Sequence, residues 1–204
     1  MRGPATVLAE RRVQCAATMP RRRSPARAGA SDAASPTWWR RPEGRFLVTF
    51  GAVLAAAFTL LSWAPVNDRL VEPFTGLVAR ASGVGLRALG EEVVRTATVL
   101  RGPRFAVNVR NGCNGIEAMV ILLAAIVAFP AGWKDRGRGL LLGASVLQAV
   151  NLVRVMALYL TGAYLPHLFD ASHTLLWQSI VILCAVVVWL LWAQRLSRPA
   201  AAAA

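Results

Sequence analysis

Asn111-Gly-Cys113-Asn-Gly-Ile116-Glu-Ala-Met-Val-Ile-Leu-Leu-Ala-Ala-Ile-Val-Ala-Phe-Pro-Ala-Gly-Trp133 joins a polar, glycine-flanked turn to a long apolar run. Apart from Glu117 that run carries no charge until Lys134. Its length reads as a membrane helix over 116–133. The turn before it holds a thiol at the helix mouth, where water and nearby cations can stabilise the thiolate that acts as a nucleophile.

Three further apolar runs flank this one. Phe46 to Ala64 is 19 residues without a charge, long enough at about 1.5 Å per residue to cross a hydrocarbon core of roughly 30 Å. A third helix is expected over 140–165, carrying Gln148, Asn151 and Arg154, and a fourth over 175–192. Lys134-Asp135-Arg136-Gly137-Arg138 reads as a short cationic loop, and Pro166 to His173 as a brief outer loop. The fold class is therefore an all-α polytopic membrane protein of about four transmembrane helices. Composition agrees: 56% of the 204 residues are hydrophobic, 16% are charged and the mean hydropathy is +0.48, too apolar for an ordinary soluble domain.

The formal net charge of +13 follows topology. Arginines gather in the first 45 residues and in short segments between apolar runs, which places the amino terminus, the Lys134–Arg138 loop and the carboxyl terminus in the cytoplasm. No basic face interleaved with aromatics is present, so nucleic acid is excluded as a partner. Residues 1–45 are expected as a disordered, arginine-rich cytoplasmic tail, 46–193 as the transmembrane domain and 194–204 as a second cytoplasmic tail. An alternative reads Arg40-Arg41 and the first apolar run as a twin-arginine export signal with Ser62-Trp63-Ala64 at its cleavage site. The other three helices keep their orientation in that case.

Between the first two helices, charged residues interrupt every window from Pro65 to Gly115. Leu70, Phe74, Leu77 and Val78 have helical spacing within Val66 to Leu89, which predicts an amphipathic helix at the outer surface. Val93 to Val109 reads as two short strands around a Gly102-Pro103 turn, a hairpin insertion leading into Cys113.

Cys15, Cys113 and Cys184 form no CxxC pair and leave an odd count, which indicates neither a zinc ribbon nor a disulfide framework. Cys184 lies inside the last apolar run, where a thiol is an inert small hydrophobe. A disulfide-generating enzyme needs paired cysteines near one face, and the sequence lacks them. His167 and His173 have no ligand spacing with Cys113, so neither a metal nor a cofactor is expected.

Topology alone brings Cys113, before the second helix, and His173, before the fourth, to one outer surface. Arg154 lies roughly 9 Å below that edge, within snorkelling reach. An arginine in an apolar helix costs about 2.5–3.5 kcal/mol on insertion scales, so it requires a partner or a task. Asn151 is one turn away on a similar face. Glu117 is a candidate ion-pair partner, and a purely structural Arg154–Glu117 pair is the plainer alternative.

Asn111-Gly-Cys113-Asn-Gly-Ile-Glu-Ala, Asn151-Leu-Val-Arg154-Val and Phe169-Asp-Ala-Ser-His173-Thr-Leu-Leu-Trp177 together resemble the three signature segments of the exosortase/archaeosortase family. The short chain looks most like the small exosortase H type. The resemblance runs from about Phe46 to Trp192. It implies a membrane-embedded cysteine transpeptidase or protease of the bacterial inner membrane, with its active site facing outward. Its partners would be exported proteins ending in a short motif, a transmembrane helix and a basic cluster. In that reading Cys113 is the nucleophile, His173 its proton-transfer partner and Arg154 the oxyanion stabiliser. Asn111 and Asn114 are then candidate substrate or oxyanion donors, and Asp170 a candidate orienter of the His173 ring. The competing expectation is a non-catalytic membrane subunit or scaffold in which Cys113 is incidental.

Overall fold

The computed structural model describes residues 41–197. Most of the 1–45 tail, Cys15 and the end of the 194–204 tail lie outside the described residues. Five helices and one small sheet carry the architecture. Helix α1 (Pro42–Ser62) starts on a proline, whose missing N–H costs nothing in a first turn. Four residues expected in the tail, Pro42 to Arg45, thus already belong to the helix.

The segment after α1 is helical with a π turn over Asn67–Val71, followed by α2 (Glu72–Ala88). Its buried face is only partly the expected one: Val78 is buried and Phe74 packs on the same core. Leu70 and Leu77 are exposed, whereas Thr75, Val78, Ala79, Ser82, Gly83 and Leu86 are buried. Small residues at helical spacing let α2 lie close against its neighbours, and this stripe overrides the larger apolar side chains.

Strands β1 (Val94–Thr96), β2 (Val99–Arg101) and β3 (Ala106–Asn108) form an antiparallel meander in that order. The expected two strands are three. The additional turn is at Ala97-Thr98, where Ala97 adopts φ 52°. Alanine gives no turn signal, so the sequence conceals it.

Helix α3 (Ile116–Ala128) is 13 residues long and stops before the expected Trp133. Pro130 forces the residue before it out of the helical region, and Phe129 is extended at φ −75° and ψ 138°. Helix α4 (Trp133–Tyr164) has 32 residues. The cationic segment expected as a loop forms its first turns, with Asp135 at the amino end, where a carboxylate suits the helix dipole. The expected outer loop at Pro166–His173 is also helical, passing through a 3-10 turn, a single α turn and a π turn over Ser172–Leu176 into α5 (Trp177–Ser197). Three helical stretches, Pro42–Ser62, Trp133–Tyr164 and Pro166–Ser197, are long and apolar enough to cross a membrane, and α3 is a shorter apolar one. The chain is an all-α membrane protein with a small β insertion.

Helix α3 packs against α1, α4 and α5, and α2 packs against α4. Two cores result. One joins Val78, Ala79 and Leu86 of α2 to Leu100 of the sheet and to Val155 and Tyr159 of α4; the other joins Ala118, Leu122 and Ile126 of α3 to Leu147, Val181 and Ala185. At one end of the bundle, Phe46 packs tilted against Trp189, Phe129 packs edge-on to Trp192, and the Trp192 ring N–H donates to the Asp135 carbonyl oxygen at 3.1 Å. The starts of α1 and α4 and the end of α5, all flanked by basic residues, therefore share that end. Cys113 lies toward the other, packed on the first core.

Candidate active site

The thiol loop is held from several sides. The Cys113 N–H donates to the Arg110 carbonyl oxygen at 2.9 Å. Gly112 and Gly115 have φ of 87° and 83°, values at which a side chain is strained. At Gly115 a β-carbon would also meet Asn151 and Gln148 at about 3.0 Å, so glycine lets the start of α3 press onto α4. Glu117 accepts from the Gly112 N–H at 2.7 Å. Asn114 is fully buried; its amide donates to the Thr75 hydroxyl at 2.9 Å and to the Asn111 side-chain Oδ1 at 3.3 Å, and its own side-chain oxygen accepts from the Ile116 N–H at 3.1 Å. Asn111 in turn donates to Asn67 at 2.9 Å. These two asparagines tie the loop to α2 and to the π turn before it.

His173 stands on the π turn, with Nε2 3.1 Å from the Cys113 Sγ. A π turn displaces a side chain from the ordinary helical register, a device common at functional sites. Phe169, one turn earlier, stacks on the imidazole with ring centroids 6.0 Å apart and planes 4° from parallel. Among the described residues no hydrogen bond joins Asp170 to the His173 ring; Asp170 is exposed, and its main-chain carbonyl oxygen accepts from the Thr174 hydroxyl.

Arg154 is 3% exposed, with Nη2 4.0 Å from Sγ. It is buried against the Cys113 loop rather than extended to water. The expected pair with Glu117 is not formed, because that carboxylate caps the Gly112 N–H. Among the described residues the one ion pair is Arg138–Asp135, and the Arg154 Nε finds no acceptor. A buried guanidinium with open donors thus faces the thiol. Asn151 ties the same helix to the loop by donating to the Cys113 carbonyl oxygen at 3.1 Å.

The family description "Transmembrane exosortase (Exosortase_EpsH)" matches residues 34–176. The chain belongs to the transmembrane exosortase family. The match contains Cys113, Arg154 and His173 and ends where α5 begins. No curated protein and no solved structure matches the chain. As a transmembrane exosortase it is a membrane-embedded enzyme of the transpeptidase/protease kind, acting on sorting signals of exported proteins.

A cavity of about 390 Å³ opens onto this exosortase's thiol and imidazole. One side is the run Phe105 to Asn111, and the other is formed by Val155, Leu158 and Phe169. Burial pushes the Cys113 thiol above its ordinary range; the Arg154 charge pulls it back down, and Glu117 pushes it up further. The net direction is upward, so burial outweighs the neighbouring cation and favours the thiol over the thiolate. Sequence reasoning did not single out Phe169, Thr75, Asn67 or Gln148. Phe169 lies inside the third quoted segment, four residues before His173, and that spacing is the signal that points to it.

Proposed function

We propose that this exosortase is a cysteine transpeptidase or protease that cleaves carboxyl-terminal sorting signals, each a short motif, a transmembrane helix and a basic cluster, at the outer face of the bacterial inner membrane. The observation that carries the reading is the approach of Sγ to His173 Nε2 at 3.1 Å beside a buried guanidinium without a counter-ion. For the thiol to donate, Nε2 must be unprotonated, which places the neutral ring's proton on Nδ1.

With substrate bound, His173 takes the thiol proton as Sγ attacks the scissile carbonyl carbon. The carbonyl oxygen becomes an oxyanion, and Arg154 offers it guanidinium donors in a site shielded from water. Collapse breaks the carbon–nitrogen bond. The leaving amine takes the proton from His173, and the upstream fragment remains as a thioester on Cys113. Water or an acceptor amine then attacks the thioester, gives its proton to His173, and the thiol is restored. The raised thiol supports activation by His173 during attack rather than a standing thiolate. The basic flanks of α1, α4 and α5 at one end support cytoplasmic termini, with the site opposite.

The test is co-expression with an exported reporter carrying such a tail from the same genome. Processing is expected with the unaltered chain and absent with Cys113→Ala. Equal processing by both would remove the nucleophile from this reading.

A further inference from the structure

The sheet beside the thiol has an open edge. β3 is the last strand in the order β1-β2-β3. The Gly102 N–H donates to the Phe105 carbonyl oxygen and the Val109 N–H to that of Thr98, and Val107 pairs with Leu100. Residues 105, 107 and 109 thus turn their main-chain groups into the sheet. By alternation the N–H and C=O of Ala106 and Asn108 point the other way. Among the described residues neither makes a main-chain hydrogen bond outside the sheet.

That edge faces the cavity. Side chains alternate along a strand, so one face of β3 would contribute every second residue, yet every residue from Phe105 to Asn111 lines the space shared with Cys113 and His173. None of the devices that blunt edges is present within β3: Ala106-Val107-Asn108 has no proline, no charge and no bulge. In a membrane protein open edge groups need water or a partner. An extended residue in a sheet fills roughly 3.3 × 4.8 × 10 Å, about 160 Å³, so the cavity of about 390 Å³ takes two to three residues, the length of β3.

We propose that the free edge of β3, through the main-chain groups of Ala106 and Asn108, receives the substrate segment at the scissile bond as a fourth strand. The inference rests on Cys113 acting as nucleophile, because the cavity is continuous with its sulfur. Strand addition reads main chain at every second residue and leaves the others to side-chain pockets. The opposite wall of Val155, Leu158 and Phe169 then selects an apolar or small residue, and the exosortase recognises an extended peptide rather than a folded surface.

The test uses proline, which deletes one N–H and leaves a ladder intact where that N–H points away from it. Ala106→Pro and Asn108→Pro are expected to lower processing of the tailed reporter about tenfold or more. Arg95→Pro, at the matching outward position of the far edge strand β1, is expected to process at the unaltered rate. Membrane abundance and alkylation of Cys113 by iodoacetamide report whether each variant folds. Should the β3 variants misfold, a proline scan of the reporter's own segment with the unaltered enzyme replaces them, and losses at alternate residues are expected. Unaltered processing by folded Ala106→Pro and Asn108→Pro would overturn the strand proposal, as would a scan without alternation. Processing by Cys113→Ala would instead overturn the catalytic reading beneath it.

Discussion

Asn151 donates to the carbonyl oxygen of Cys113 at 3.1 Å, so the helix that supplies the guanidinium also grips the peptide that supplies the thiol. Asn151 and Arg154 lie one turn apart on α4, so the grip on the loop and the guanidinium keep a fixed spacing. Losing one such bond costs about 0.5–1.5 kcal/mol. Asn151→Ala is therefore expected to slow reporter processing by about 3- to 10-fold without lowering membrane abundance. Pulse-chase of the reporter reads the first quantity and immunoblotting the second.

The open donors of Arg154 give a larger prediction. Removing an oxyanion donor costs about 10²–10³-fold in rate, so Arg154→Gln is expected to lose processing by that factor. Arg154→Lys keeps the charge but not the planar fork, and is expected to fall between the two. A lysine variant as fast as the unaltered chain would show that charge alone suffices.

Alkylation of Cys113 should follow the charges around it. Glu117 raises the thiol's titration and Arg154 lowers it. Glu117→Gln retains an acceptor for the Gly112 N–H but removes the carboxylate, so the midpoint of the iodoacetamide rate against pH is expected to move down. Arg154→Gln removes the stabilising cation, so its midpoint is expected to move up. The rates are measured by mass spectrometry of the Cys113 peptide across a pH series.

Phe169 tests how the imidazole is held. Its ring is parallel to that of His173, and without it the histidine gains rotational freedom. Phe169→Ala is expected to reduce turnover severalfold, and Phe169→Tyr to restore most of it. A loss in abundance matching the loss in turnover would assign the ring to packing alone.

Much of this arrangement is legible in the sequence, for definite reasons. Apolar run length predicts the membrane helices, and arginine placement predicts which loops share an end, which is enough to bring Cys113, Arg154 and His173 together. What stays hidden is local. The third strand depends on Ala97 in a left-handed conformation that its residue type does not advertise. The early end of α3 is legible only at Pro130, and the apolar residues on both sides of it mask that signal. The π turn under His173 leaves no mark in hydrophobic spacing. Glu117 looked like a partner for Arg154 because opposite charges attract, yet the main-chain N–H of Gly112 captured it first.

Cys113 acting as nucleophile is expected to become covalently acylated by the upstream part of a sorting-tail substrate. The direct measurement is mass spectrometry of the exosortase purified after co-expression with the tailed reporter, read at the peptide containing Cys113. A conjugate is expected on that sulfur, released by hydroxylamine as a thioester should be and absent from Cys113→Ala. Processed reporter at the unaltered level in Cys113→Ala cells, with no conjugate on the native thiol, would contradict it.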